Sequence, residues 1–277
     1  MSDFLSHLNI LKYFYFLKSK IKKELTDYKK YMELQKIMSE QAISTFFQPI
    51  IHLERQTVTG YEVLNRPPAS HLFPTTEMFY DFIGNTDQVF SFECFSRTIS
   101  LHRFFDCLSE EPNQRNSLIF LNIHPQVLLD SNYRSGETLQ QLEKLQLSPE
   151  QIVFELTEKS AVSDFSQFEQ ILSHYRSQGF RIAIDDAGSG YNSLKSLVHL
   201  KPEFIKLDRS LISYIDQNIE QQQMVMLLLE FANQSDTFVI AEGIERIEEL
   251  SYLREQGVHY GQGYAIGKPD KSLKPSS

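Results

Sequence analysis

With 277 residues, 41% of them hydrophobic and 23% charged, the composition is that of an ordinary globular chain. It is long enough for one large domain, and the roughly 250 residues of an eight-fold strand–helix barrel fit within it. The net charge of −9 excludes a general nucleic-acid-binding surface, which would be basic, and no apolar run approaches the ~18–20 residues of a membrane span. Lys12 and Lys18 bracket the only apolar cluster near the N-terminus, unlike a signal peptide, and Cys94 and Cys107 form no disulfide framework, so a reducing cytoplasm is expected.

Residues 1–44 read as a helix. Ile10, Phe14, Leu17, Ile21, Leu25, Tyr28 and Met32 recur at steps of three and four, with no Gly or Pro. Such a helix gains most of its stability from packing, so it is expected either to join two chains as a homodimer or to dock on its own barrel. Composition changes near Ser44, which divides a helical segment, 1–44, from a barrel domain, 45–277. The first part carries a charge of +3 and the remainder −12.

Strands are expected at 46–53, 58–64, 118–123, 152–156, 181–184, 204–207 and 238–241, with a weaker one at 258–260. The first two are close enough for a hairpin. Helical patterns at 165–178, 221–233 and 247–256 fall between the later strands. This alternation predicts an α/β fold with a parallel sheet, and eight strands predict closure into a TIM-like (β/α)8 barrel.

A polar residue follows each apolar run. Asn122, Glu155, Asp185 with Asp186, Lys206 and Glu242 stand at successive strand ends, Gln262 follows the weak strand, and Glu62 lies within the second. In a parallel barrel these C-terminal ends converge on one mouth. A single carboxylate there is more often a helix cap or a surface ion pair, but a whole register of them is hard to explain as capping. Gathered together, the acids would repel one another strongly. Hard divalent cations, Mg²⁺ or Mn²⁺, favour such an oxygen-rich set, and two ions suit displacement at phosphorus. An acidic site holding metal accepts an anionic diester, with Lys206 orienting water or offsetting charge. His124 reads as a packed or solvated histidine, and no zinc spacing is present.

These residues resemble the EAL family of cyclic di-GMP phosphodiesterases over about 44–270. The resemblance rests on Gln48-Pro49-Ile50, Gly60-Tyr61-Glu62-Val63-Leu64-Asn65-Arg66, Leu121-Asn122-Ile123 and Glu155-Leu156-Thr157-Glu158. It continues through Ile184-Asp185-Asp186-Ala187-Gly188-Ser189-Gly190-Tyr191, Ile205-Lys206-Leu207-Asp208, Ala241-Glu242-Gly243-Ile244-Glu245 and Gln262-Gly263-Tyr264. It implies an antiparallel first strand and hydrolysis of cyclic di-GMP to linear pGpG. It also implies one metal on Glu62, Asn122, Glu155 and Asp185, and a second on Asp185, Asp186 and Glu242. By the same resemblance Glu242 is the general base, Lys206 orients water and Gln262 supports the site. Gln48, Leu64 and Arg66 would hold substrate, and Glu158 would steady the loop after Asp186.

Two departures stand out. Val63 replaces the family's Ala, and its side chain is expected to point away from the mouth because strand faces alternate. Ala187 and Ser189 replace the usual Phe and Thr of a loop that bears on metal binding and dimer contact. Three functions therefore stay open: an active phosphodiesterase, a non-catalytic cyclic di-GMP receptor, and an unrelated barrel metalloenzyme.

Overall fold

Short β-branched and aromatic runs separated by amphipathic stretches build the molecule, and a computed structural model describes residues 2–124, 136–157, 165–188 and 193–273. Glu158 and the Ser189-Gly190-Tyr191 stretch lie outside the described residues. Two compact units are present, residues 1–44 with 66–83, and residues 45–65 with 84–277.

In the first unit, α1 (Ser2–Ser39) is a continuous helix, and α2 (Thr76–Gly84) begins within its second segment. Leu34 and Ile37 of α1 are buried, and the Lys30 ammonium lies 5.8 Å and 5.5 Å from the ring centroids of Phe73 and Phe82. The stripe Ile21, Leu25, Tyr28 and Met32 is exposed instead.

The strands are β1 (Ser44–His52), β2 (Thr57–Arg66), β3 (Leu118–Asn122), β4 (Ile152–Thr157), β5 (Arg181–Ala187), β6 (Phe204–Leu207), β7 (Phe238–Ala241) and β8 (Tyr260–Gly261). They close in chain order into a barrel. β2 through β8 pair parallel, and β1 pairs antiparallel with β8. The expected barrel and its reversed first strand are thus both present.

The helices of this unit are α3 (Val89–Cys107), α4 (Glu137–Leu145), α5 (Phe165–Ser177), α6 (Ser193–Leu200), α7 (Arg209–Ile212), α8 (Ile219–Gln234) and α9 (Ile247–Glu255). Local chemistry starts several of them. Asn218 caps α8 by accepting from the Glu220 and Gln221 amides, and Asp208 caps α7 by accepting from Ser210.

Strand alternation splits the core in two. One set of side chains, including Tyr61, Val63, Ile119, Leu121, Phe154, Leu156, Ile182, Ile184, Ile205, Leu207 and Val239, joins the large apolar cluster shared with the helices. The other set, Ile50, Phe120, Val153, Ala183, Phe204 and Ile240, forms a separate plug. Phe120 and Phe204 meet edge to face at 5.3 Å, and full burial of each ring is worth about 2–3 kcal/mol. Val63 belongs to the outer cluster, on the opposite strand face from Glu62, as alternation requires.

Candidate active site

The site is built two residues above the apolar plug. Phe120, Val153, Ala183, Phe204 and Ile240 are followed at i+2 by Asn122, Glu155, Asp185, Lys206 and Glu242. A period of two puts each pair on one strand face, so the same alternation that packs the plug aims the polar layer at the mouth. Gln262 follows Tyr260 in the same way, and on the reversed β1 Gln48 precedes Ile50.

Two adjacent strand residues ordinarily point to opposite faces, yet Asp185 and Asp186 both belong to the site. The pairing of β5 with β6 explains how. Ile184 pairs with Ile205 and Ala187 with Leu207, so β5 carries one extra residue in a bulge. Asp186 takes the left-handed conformation there, φ 58°, which an Asp tolerates better than most residues. The result brings Asp185, Asp186 and Glu242 oxygens within 4.8 Å of one another.

Lys206 is the hub. Its Nζ lies 2.5 Å from Glu155, 2.7 Å from Glu242, 3.4 Å from Glu62 and 3.5 Å from Asp185. Its side chain is 1% exposed and that of Glu155 is fully buried. Gln262 Nε2 donates to Glu62 at 2.6 Å, and Asn122 Nδ2 makes a long contact of 3.5 Å to the other Glu62 oxygen. Gln48 is buried and its amide donates to the Gly267 carbonyl at 3.2 Å. Leu64 is half-buried, and Arg66 is exposed at the end of β2, in the unit that contains 66–83.

The electrostatics are those of a site short of positive charge. Burial pushes the Glu155 carboxyl well above the usual carboxylate range, and Glu62 and Asp185 push it further against the pull of Lys206. Burial, with Asp185 and Glu62, lifts Glu242 to about 8, Lys206 again opposing. Burial disfavours the Lys206 ammonium, but Glu155, Glu242, Glu62 and Asp185 together outweigh it and hold its pKa well above the ordinary lysine value. Four acids share the Lys206 ammonium. Glu155 Oε2 is buried with no hydrogen-bond partner among the described residues, and so is Gln262 Oε1. Unpaired buried oxygens beside clustered carboxylates are the donor set of a hard divalent cation. Glu62, Asn122, Glu155, Asp185, Asp186 and Glu242 therefore fit the metal that the resemblance implies.

Sequence reasoning missed the piece that reaches both acidic loops. In α7, Leu211 lies against Gly188, beside the Asp185–Asp186 pair, and the Arg209 stem lies against Gly243, beside Glu242. Both glycines have positive φ, 95° and 65°. A Cβ on Gly243 would stand 2.6 Å from Arg209 Cγ. Arg209 also pairs with Glu245 at 2.7 Å. The available signal was Asp208-Arg209-Ser210 directly after Lys206, a helix start opposite two loop glycines. Glu93 of α3 was missed as well; it accepts from the His124 amide at 3.3 Å. Burial lifts its carboxyl to about 7, with Arg97 and that hydrogen bond opposing.

Fold and site together define an α/β-barrel protein with a buried lysine–carboxylate centre at the C-terminal mouth of its strands. The chain belongs to the EAL domain family, whose pattern it matches over residues 32–269. It is 31% identical over 246 residues to the probable cyclic di-GMP phosphodiesterase PdeB of Escherichia coli, covering 85% of this chain and 44% of that protein. The chain thus spans less than half the length of that curated relative. Among solved structures, a standalone EAL protein from Vibrio cholerae O395 in its c-di-GMP bound form shares 28% identity at a TM-score of 0.72, covering 84% of this chain and 95% of that one. Klebsiella pneumoniae BlrP1 in a manganese/cy-diGMP complex shares 26% identity at a TM-score of 0.71, covering 83% and 56%. Family membership removes the unrelated barrel metalloenzyme from the open functions.

Proposed function

We propose that this chain is a divalent-metal-dependent phosphodiesterase that opens cyclic di-GMP to linear pGpG. The observation that carries the reading is the buried Lys206 ammonium ringed by Glu62, Glu155, Asp185 and Glu242, a complete acidic centre of the kind that serves phosphoryl chemistry. Relatives named as acting on or binding cyclic di-GMP support the choice of substrate. The manganese complex of BlrP1 supports the choice of cation.

Glu62, Asn122, Glu155, Asp185, Asp186 and Glu242 would hold two Mg²⁺ or Mn²⁺ ions, whose positive charge, when bound, stabilises the phosphodiester as it reacts. The chain's own groups do the rest. Glu242 accepts the proton of the attacking water. Lys206, 2.7 Å from Glu242, orients that water and offsets charge growing on phosphate. Gln262 holds Glu62 in place through its 2.6 Å hydrogen bond. Gln48, Leu64 and Arg66 position the substrate, Arg66 by a charge-assisted contact to phosphate. We place this activity in the cytoplasm; no helix among the described residues is long and apolar enough to cross a membrane.

The receptor reading survives on one observation: Ala187 and Ser189 depart from the family beside the two aspartates. Incubation with cyclic di-GMP and Mg²⁺ or Mn²⁺, followed by chromatography, tests the proposal. Formation of pGpG that EDTA abolishes and either cation restores supports it. Tight binding without any pGpG leaves the receptor, and full turnover in EDTA rejects the metal mechanism.

A further inference from the structure

We propose that α1 pairs in parallel with α1 of a second copy of this chain, through a heptad seam on the face turned away from its own unit. The helix has two apolar faces. Leu34 and Ile37 are buried, and with Lys30 they form the face packed within the unit. On the opposite face, roughly 180° round at 3.6 residues per turn, Ile21, Leu25, Tyr28 and Met32 are 63%, 53%, 61% and 50% exposed. Their steps of four, three and four are those of alternating d and a positions. Leu11, Phe14 and Lys18 continue the same register towards the N-terminus. Three heptads in an unbroken helix are enough for a short coiled coil.

Charge chooses the partner and its direction. The charged positions flanking the seam are Glu24 at g and Lys22, Lys29 and Lys36 at e, all four exposed, while Tyr15 at e and Leu17 and Tyr31 at g carry no charge. In a parallel pair, g of one helix meets e of the next heptad on the other, which sets Glu24 beside Lys29 twice per dimer and opposes no like charges there. An antiparallel pair sets the e-position lysines against one another. Lys18 at an a position costs some stability but fixes register. Between Ile21 and Met32 the seam is flanked by Lys22, Glu24 and Lys29, whereas a helix lying on a membrane presents a broad apolar face; the exposed Tyr13, Tyr15 and Phe16 widen the apolar surface only N-terminal to that stretch. A second copy of the same helix is the occupant that matches both the spacing and the charge.

Full-length chains with Cys94→Ser and Cys107→Ser, carrying a single Leu25→Cys or Met32→Cys, test the pairing under mild oxidation. Both should cross-link to twice the chain mass, because only a parallel, in-register pair brings each residue to its own copy. Lys23→Cys, on the outer f position, should not. Glu24→Lys should weaken self-association by about five- to tenfold, the scale of losing two flanking ion pairs, and adding Lys29→Glu should restore it. A monomer by light scattering at tens of micromolar, or a dimer in which neither seam cysteine cross-links, would overturn the proposal. So would sedimentation with phosphatidylserine vesicles that Leu25→Glu abolishes, which would assign the seam to a lipid surface.

Discussion

The Glu242 carboxylate touches Lys206 at 2.7 Å and shares its space with Asp185 and Asp186; as the proposed general base, its charge would bear on the chemical step more than on the grip for bases and phosphates. Glu242→Gln keeps the size and removes the charge. Its kcat should fall by at least ~10²-fold, the scale of losing a general base, while cyclic di-GMP affinity measured by calorimetry changes little. In the proposed reaction Arg66 contacts phosphate in both ground and transition states, so Arg66→Ala should raise KM with kcat nearly kept; an equal loss in kcat would contradict that role. Glu93 offers a test outside the acidic centre. Its folded pKa of about 7 lies above the ordinary 4.5. Between those values the native chain keeps a proton that the unfolded chain has released, so this contribution to stability falls as pH rises and levels off above about 7. Glu93→Gln should flatten that dependence and gain on the order of 1–3 kcal/mol at about pH 8, allowing for partial exposure. Urea unfolding at about pH 5 and about pH 8 reads the difference. Asn122, Glu155, Asp185, Asp186, Lys206 and Glu242 were legible one by one, because each stands at the polar end of an apolar run, and Glu62 was legible as an acid inside one. Glu93 was not, because a carboxylate on a helix gives no sign in sequence of the burial that lifts it.

Among the elements, the strands were readable and the device that joins them was not. β6 and β7 match their expected spans residue for residue, since four apolar positions between breakers leave little choice. β8, only two residues long, lies two residues beyond the start of its weak signal. The bulge at Asp185–Asp186 depends on β6 pairing, which no local pattern encodes. α3 hides for a related reason: its buried positions include Arg97 and Ser100 among the aromatics, so its stripe is not purely apolar. The short α7 has no periodicity to detect, yet it packs Leu211 and Arg209 onto both acidic loops. The Arg209–Glu245 ion pair is exposed and worth little by itself, so the packing of the Arg209 stem carries the effect. Gly243→Ala forces a Cβ toward that stem at a positive φ and should destabilise by about 1–3 kcal/mol. It should also weaken Mn²⁺ binding, measured by titration calorimetry, several-fold. Adding Arg209→Ala makes room for the methyl and should recover part of the Mn²⁺ affinity. No recovery would mean that backbone strain alone, and not the contact with α7, sets the position of Glu242.

At the scale of the whole molecule, the carboxylates that folding can least tolerate are the few gathered at the barrel mouth, where Lys206 is the buried cation that faces Glu62, Glu155, Asp185 and Glu242. Burial of a charge without its partner is strongly destabilising. Lys206→Met removes the ammonium and leaves Glu62, Glu155, Asp185 and Glu242 facing one another at the top of the apolar plug. In EDTA this variant should lose about 3–5 kcal/mol, a fall in melting temperature on the order of 10 °C for a chain of this size. A divalent cation can replace the missing charge, so Mn²⁺ should raise the melting temperature of Lys206→Met by more than it raises that of the unaltered chain. Hydrolysis should stay low in the variant even when its stability is restored, because the cation replaces the charge but not the group that orients water. NaCl at matched ionic strength is the control: it screens exposed charges but reaches a buried cluster poorly. Equal stabilisation by NaCl and Mn²⁺ would show that the acids respond to general screening. An unaltered melting temperature in Lys206→Met would show that the lysine does not hold the centre together.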